Sequence, residues 1–197
     1  MKNPKKLNTP AKIQDFLDQI PFNFEKKGET YMSPKRMLRE NKAHCFEGAL
    51  FACLCLRRIG LANYLLDFKV KDLKKDSDHV VCAFKLNGCW GDISKTNHSV
   101  LRWRDPIYKS YRELAMSYFH EYFLDSGAKT LASFSKPFDV WERLGDEWTE
   151  REEDLEEIAA ALDKSPHQDF VPKKNAKFIR KAGKTEIRGA SIIEYRN

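Results

Sequence analysis

Six residues, KLNGCW at 85–90, restrict this chain more than any other stretch of it. Asn87-Gly88 lies between two apolar runs. A two-residue type I′ turn needs positive φ at both central positions, and Asn followed by Gly is the pair that tolerates it. A β-hairpin is therefore expected, with strands over His79–Leu86 and from Cys89 to about Ser94. The turn also sets the register: Leu86 faces Cys89, Ala83 faces Asp92, and the same count carried onward sets His79 opposite Thr96.

The elements around the hairpin fall into order by period and by punctuation. Residues 11–20 repeat with helical spacing and stop before Pro21. Ser33 is placed as an N-cap with Pro34 at the first helical position, so a short helix should run to about Glu40. A longer helix follows from Cys45 to Arg58, ended by Gly60. Residues 61–69 read as a strand and 71–78 as a charged loop. After Pro106, Ser110 and Glu113 suggest a capping box opening a helix, and Thr149 with Glu152 suggest another. Residues 185–196 (TEIRGASIIEYR) suggest a late strand. Helices, then antiparallel strands, then helices make an α+β fold. The division expected is a core over 1–125, a helical extension packed on it over 126–163, and a basic tail over 164–197.

Composition narrows the function classes. With 197 residues, 42% of them hydrophobic and 12% aromatic, the chain can bury a full core. No window is apolar enough to cross a bilayer, and the opening residues lack the apolar run of a signal peptide, so a cytoplasmic location and no membrane partner are expected. Five cysteines in such a chain read as reduced thiols. The net charge of +6 is concentrated in 164–197, which holds nine Lys or Arg against three Asp or Glu, a difference of +6. A basic tail suits polyanions, but neither an aromatic RNA-binding motif nor zinc-finger spacing accompanies it, which disfavours nucleic acid.

The cysteines are not equivalent. Cys45 opens its helix, where free backbone N–H groups and the helix dipole favour a thiolate. Cys53 and Cys55 lie among apolar neighbours and read as core filler; two positions apart on a helix, they point about 200° away from each other and cannot clamp one ion. Cys82 and Cys89 flank the hairpin turn, too few thiols for a zinc site. A nucleophile needs a base, and His79 opens a strand beside a loop. His44, next to Cys45, points elsewhere, so it reads as a loop histidine or as added positive potential. Glu47, in the first helical turn, reads as a capping residue. Leu114, Tyr118 and Phe119 read as core, Tyr111, Tyr122 and His120 as a possible groove rim, and Trp141 and Trp148 as the dock for the late acidic helix.

These residues together carry a resemblance. HCFEGALFACLCLRRIGLANYLL followed by HVVCAFKLNGCWGDIS resembles the transglutaminase-like branch of the papain-like cysteine enzymes, over about residues 11–100. The family pattern is a helix opened by the nucleophile, small residues along it (Gly48, Ala49 and Ala52 here), an exit through Leu-Arg-x-x-Gly, a strand opened by His, and a Gly-x-Trp hairpin strand carrying an Asp. It implies Cys45 as nucleophile, His79 as base and Asp92 as the nearest acid. His79 and Asp92 are, however, about 13 Å apart along the expected ladder. The family's Asp stands four residues after the Trp, a position held here by Ser94; a bulge at Gly91, or Ser94 or Asn97, would supply the orienting group otherwise. The resemblance implies acyl transfer through a thioester on a peptide or protein substrate, as peptidase, amidase or transglutaminase, with no metal or organic cofactor. The alternative is a non-catalytic binding scaffold with a degraded triad.

Overall fold

A computed structural model describes residues 7–26 and 28–196. Residues 1–6, part of the stretch read above for a signal peptide, lie outside the described residues, as do 27 and 197. Three helices come first, α1 (Pro10–Asp18), α2 (Pro34–Glu40) and α3 (Cys45–Arg58). The strands are β1 (Asn63–Val70), β2 (His79–Leu86), β3 (Cys89–Ile93), β4 (Arg104–Tyr108), β5 (Leu131–Ser135) and β6 (His167–Asp169). Helix α4 (Tyr111–Phe119) precedes β5, α5 (Val140–Leu144) and α6 (Glu156–Asp163) lie between β5 and β6, and α7 (Lys184–Ala190) comes last. The fold class is α+β, as the order of elements implies.

The strands form one antiparallel sheet in the order β4-β3-β2-β1-β5-β6. Asn87 and Gly88 have φ of 50° and 81°, as the turn requires, and Leu86 pairs Cys89 and Ala83 pairs Asp92. Alternate residues of the central strands feed two separate cores. Leu65, Val80, Cys82, Phe84 and Ile93 meet α1, α3 and α6, while Leu66, Phe68, Val81, Ala83 and Trp90 meet α4. Helix α3 is apolar nearly all round because the sheet covers one side and α1 and α2 the other; ten of its residues from Phe46 to Leu56 are buried. Each large side chain so buried contributes about 1.5–3 kcal/mol.

Small residues let α3 come this close. A Cβ built on Gly48 would stand 2.4 Å from the Lys95 Cβ, so no larger residue fits where α3 passes the end of β3. Lys95 is itself buried, and its ammonium caps α1 by donating to the carbonyls of Leu17 and Ile20.

Several expectations need correcting. Residues 131–135 are strand, not helix, and β6 follows from the supposed tail, so 126–163 and 164–169 both build the same sheet as the hairpin. In 185–196 the expected strand is helix α7 followed by one antiparallel bridge, His98–Ile193. The helix expected after Thr149 begins at Glu156 with Leu155 as its N-cap, and Glu147–Glu150 form a separate 3-10 turn. Ser110 does cap α4 through the Glu113 N–H, but the Glu113 carboxylate takes the N–H of Lys109 instead of completing the box. Among the described residues no helix is long and apolar enough to cross a membrane.

Candidate active site

Cys45 is the first residue of α3. Its neighbour His44 is the N-cap, and the capping box is complete: the His44 N–H donates to Glu47 Oε2 at 3.0 Å and the Phe46 N–H approaches His44 Nδ1 at 3.3 Å. Glu47 does more than cap. It is fully buried, and its carboxylate also accepts from the Thr30 hydroxyl, the Met32 N–H and the Asn23 amide, tying Asn23, Thr30 and Met32 to the start of α3. His44 Nε2 donates to the Thr30 carbonyl at 2.8 Å, so this ring is buried and held at both ends rather than a loose loop side chain.

Two imidazoles converge on the Cys45 sulfur. Burial pushes its pKa up, but hydrogen bonds from His44 and His79 and their charges outweigh this and bring it down from 9.0 to about 5. Burial pulls His44 down in turn; the hydrogen bond to Cys45 and the charges of Cys45 and Glu47 prevail and raise it to about 9. A His44 ring that donates from Nδ1 to the thiolate cannot also accept there from Phe46, so the cap bond belongs to neutral His44 and the sulfur contact to the cation. Cys45 itself is only partly buried.

His79 is held from both sides of β2. The preceding loop closes when Asp78 Oδ1 accepts the Val70 N–H at 2.7 Å and the Tyr122 hydroxyl donates to the Ser77 carbonyl. On the far side, His79 Nε2 stands 2.9 Å from Ser94 Oγ. The Ser94 hydroxyl proton is committed to the Leu101 carbonyl at 2.7 Å, so Oγ can only accept from His79. That places hydrogen on Nε2 and leaves Nδ1 to carry the proton toward the Cys45 thiolate, and to present its lone pair when the sulfur holds that proton.

Asp92 is not the group that orients His79. The ladder to β2 ends at the Cys82–Ile93 pair, so the chain leaves the strand before the expected His79–Thr96 pairing. Gln14 of α1 stands in for a strand partner, with Nε2 donating to the Ser94 carbonyl at 3.0 Å and Oε1 accepting the Ser94 N–H at 2.9 Å. This turn brings Ser94 to the histidine. The irregularity near Gly91 lies in the pairing with β4, where a Cβ would meet the Arg104 carbonyl at 2.8 Å, and it leaves Asp92 facing Ala83. Asp92 is fully buried and accepts from the Tyr118 hydroxyl at 2.9 and 3.0 Å on its two oxygens. Burial raises its pKa to about 7 against the charge of Arg104 and the Tyr118 bond. Its side-chain hydrogen bond comes from Tyr118, and it acts on His79 through charge rather than through a hydrogen bond. Asn97 binds the backbone of Tyr195 and does not contact His79.

The remaining residues separate as follows. Cys53 and Cys82 are buried with their sulfurs 3.1 Å apart between α3 and β2, and burial drives the pKa of Cys82 far up and that of Cys55 to about 12. Among the described residues no group of three or more His, Cys, Asp or Glu side chains is arranged to hold a metal ion. Of the proposed rim, Tyr122 lies beside the site with its ring 6.5 Å from that of His79, Tyr111 packs against Trp90 and Phe134, and His120 is exposed. Trp141 and Trp148 pack on each other with their rings tilted by 49° in the α3 core. Sequence reading missed Gln14 and Tyr118 as site residues. A glutamine between Ile13 and Leu17 on the buried stripe of α1 was the available signal; for Tyr118, buried at helical spacing among apolar residues, there was none.

No family model matches the chain, and no curated protein matches it. Among solved structures it is similar to Legionella pneumophila LapG, with 17% identity over 48% of this chain and 55% of that one and a TM-score of 0.35. A structure of EGTA-treated LapG aligns over 73% of this chain and 71% of that one, with 13% identity and a TM-score of 0.40. The first alignment thus spans about half of the Legionella protein. Overlap this loose decides nothing about the chemistry.

Proposed function

We propose that this chain is a transglutaminase-like, cysteine-nucleophile enzyme that transfers acyl groups from a peptide or carboxamide bond through a thioester. The observation that carries the reading is Cys45 at a helix N-terminus beside His44 and a His79 ring fixed 2.9 Å from Ser94 Oγ, an arrangement that favours the thiolate. In this mechanism the Cys45 thiolate attacks the carbonyl carbon and the carbonyl π-bond pair moves to oxygen. The N–H of Cys45 at the start of α3 donates to that oxyanion. His79, protonated, gives its proton to the leaving amine as the tetrahedral intermediate collapses to the thioester. Neutral again, it takes a proton from the water or amine that resolves the thioester, and the thiolate departs. Ser94 holds the ring in the required tautomer, and Gln14 holds Ser94. His44 is a second cation beside the sulfur that favours the thiolate without moving a proton in the cycle.

The test is a burst experiment with an activated ester such as p-nitrophenyl acetate. Stoichiometric release of nitrophenol, with an acetyl mass localised to Cys45, is expected. The burst should vanish in Cys45→Ala and slow about 100-fold or more in His79→Ala. Equal labelling of Cys89, or a burst indifferent to His79, would end the catalytic reading.

A further inference from the structure

We infer that the backbone edge at residues 97–99 is the docking site for the main chain of an extended peptide substrate, and that residues 191–196 of this same chain occupy it as an intramolecular competitor. The inference rests on the reading of Cys45 and His79 as nucleophile and base. Its first support is the way residues 191–196 are bound. The Ser99 N–H donates to the Ile192 carbonyl at 3.1 Å and the Glu194 N–H to the Asn97 carbonyl at 3.0 Å, either side of the His98–Ile193 bridge. This is the spacing of an added antiparallel strand. The Asn97 side chain then reads the backbone of Tyr195 twice, accepting its N–H at 2.7 Å and donating to its carbonyl at 2.9 Å. Four such bonds recognise a main chain, whatever its side chains.

Position is the second support. The Leu101 carbonyl, which fixes Ser94 and through it His79, lies two residues beyond this edge. His98, Leu101 and Tyr122 form one wall of a cavity of about 340 Å³, and Ile187, Ala190, Ser191 and Ile193 form the other. Tyr122 sits against the His79 ring on its inner side. The segment therefore closes a space that shares Leu101 and Tyr122 with the surroundings of His79.

Weak anchoring is the third support. Ile192 is 63% exposed and Ile193 44%, so the segment does not insert apolar side chains into a core. It is further held by the Arg102–Glu194 ion pair at 28% and 29% side-chain exposure, by the Tyr195 ring under Lys95, and by long bonds from the Tyr195 hydroxyl to the carbonyls of Asp18 and Ile20 at 3.4 and 3.5 Å. A strand held by main-chain bonds, one half-buried ion pair and one aromatic ring, with no apolar side chain in a core, is exchangeable for another extended chain.

The experiment uses the full chain with Cys89→Ser as background. Glu194→Pro deletes the N–H given to Asn97 and disfavours the bridged geometry. Reaction of Cys45 with iodoacetamide and with a tripeptidyl chloromethyl ketone is followed in both proteins, with thermal melts confirming that each is folded. Glu194→Pro should react about 5–20-fold faster with the peptidyl reagent, and within about two-fold of the parent with iodoacetamide. A fluorescein-labelled peptide with the sequence of residues 190–197 should bind Glu194→Pro by anisotropy, slow the peptidyl reagent, and lose its binding when Asn97→Ala is added. An unchanged peptidyl rate in a folded variant, or a peptide that binds equally with and without Asn97, would overturn the proposal. Peptide binding is read without any reaction at Cys45. An ordinary thiol titration with iodoacetamide would therefore defeat the catalytic reading alone.

Discussion

The ionisation of Cys45 can be measured directly, and the useful quantity is the midpoint of the pH profile rather than the rate at one pH. A thiol with a pKa of about 5 is about 99% thiolate at pH 7, against about 1% for one at 9.0. That hundredfold gain in population is nearly cancelled, because nucleophilicity falls with basicity. With a Brønsted slope of about 0.45, four units cost about 60-fold per thiolate. At pH 7 the two thiols would differ by only about two-fold. At pH 6 the populations are about 91% and 0.1%, and after the same correction Cys45 leads by about 15-fold. The assay is stopped-flow reaction of the Cys89→Ser protein with a nitrobenzoate disulfide between pH 4 and 10. A plateau from about pH 6 upward with a midpoint near 5 is expected. His79→Ala and His44→Ala should each move the midpoint up, since each removes a hydrogen bond and a charge that favour the thiolate. A midpoint above pH 8 in the unaltered protein would refute the reasoning, as would one that moves in neither variant.

Other outcomes follow from the same geometry. Ser94→Ala removes the acceptor on His79 Nε2 and should slow acyl transfer about tenfold or more, while a melting curve moves little. Asp92→Asn should leave the Cys45 midpoint within about half a unit, because the Asp92 hydrogen bond is with Tyr118 and not with His79. For Asp92 the folded-state pKa of about 7 lies above the ordinary 3.8, so the native state holds a proton that the unfolded chain has lost between those values. Stability should therefore fall as pH rises from about 4 to about 7, by up to about 4 kcal/mol at 1.36 kcal/mol per unit, and chemical denaturation of Asp92→Asn should show that slope flattened. Glu47→Gln puts an NH2 against the N–H of either His44 or Met32 and should cost about 2–3 kcal/mol in the same assay. Gly48→Ala must displace Lys95 and should cost about 1–3 kcal/mol.

The hairpin, α2 and α3 were legible because each carries local punctuation: Asn87-Gly88, Ser33-Pro34, and Gly60 after a long apolar run. The places of Cys45 and His79 in the fold were legible for the same reason, each being the first residue of a well-marked element. What the sequence did not show depends on distant partners. Strand β5, Leu-Ala-Ser-Phe-Ser, has no strong pattern of its own and exists because β1 and β6 flank it. Strand β4 holds Pro106, which argues against a strand unless it lies at an edge, where it does lie. The hydrogen-bond partner of His79 was misread for a comparable reason. Extending the hairpin ladder assumes that β3 stays paired, whereas Gln14, eighty residues away, captures Ser94 and turns the chain. Counting from Trp90 reached Ser94; counting charges reached Asp92.

The two rims of the sheet bear on how this protein behaves at high concentration. One rim is β4, five residues long with a proline that offers no N–H, and the other is β6, three residues long. Neither presents a regular row of donors and acceptors on which a neighbouring molecule could stack strand upon strand. A six-stranded sheet with such blunted rims resists fibrous self-association. Its rims offer little purchase, and the extended segment at the end of the described chain pairs instead with the short stretch beyond β3 at Asn97–Ser99.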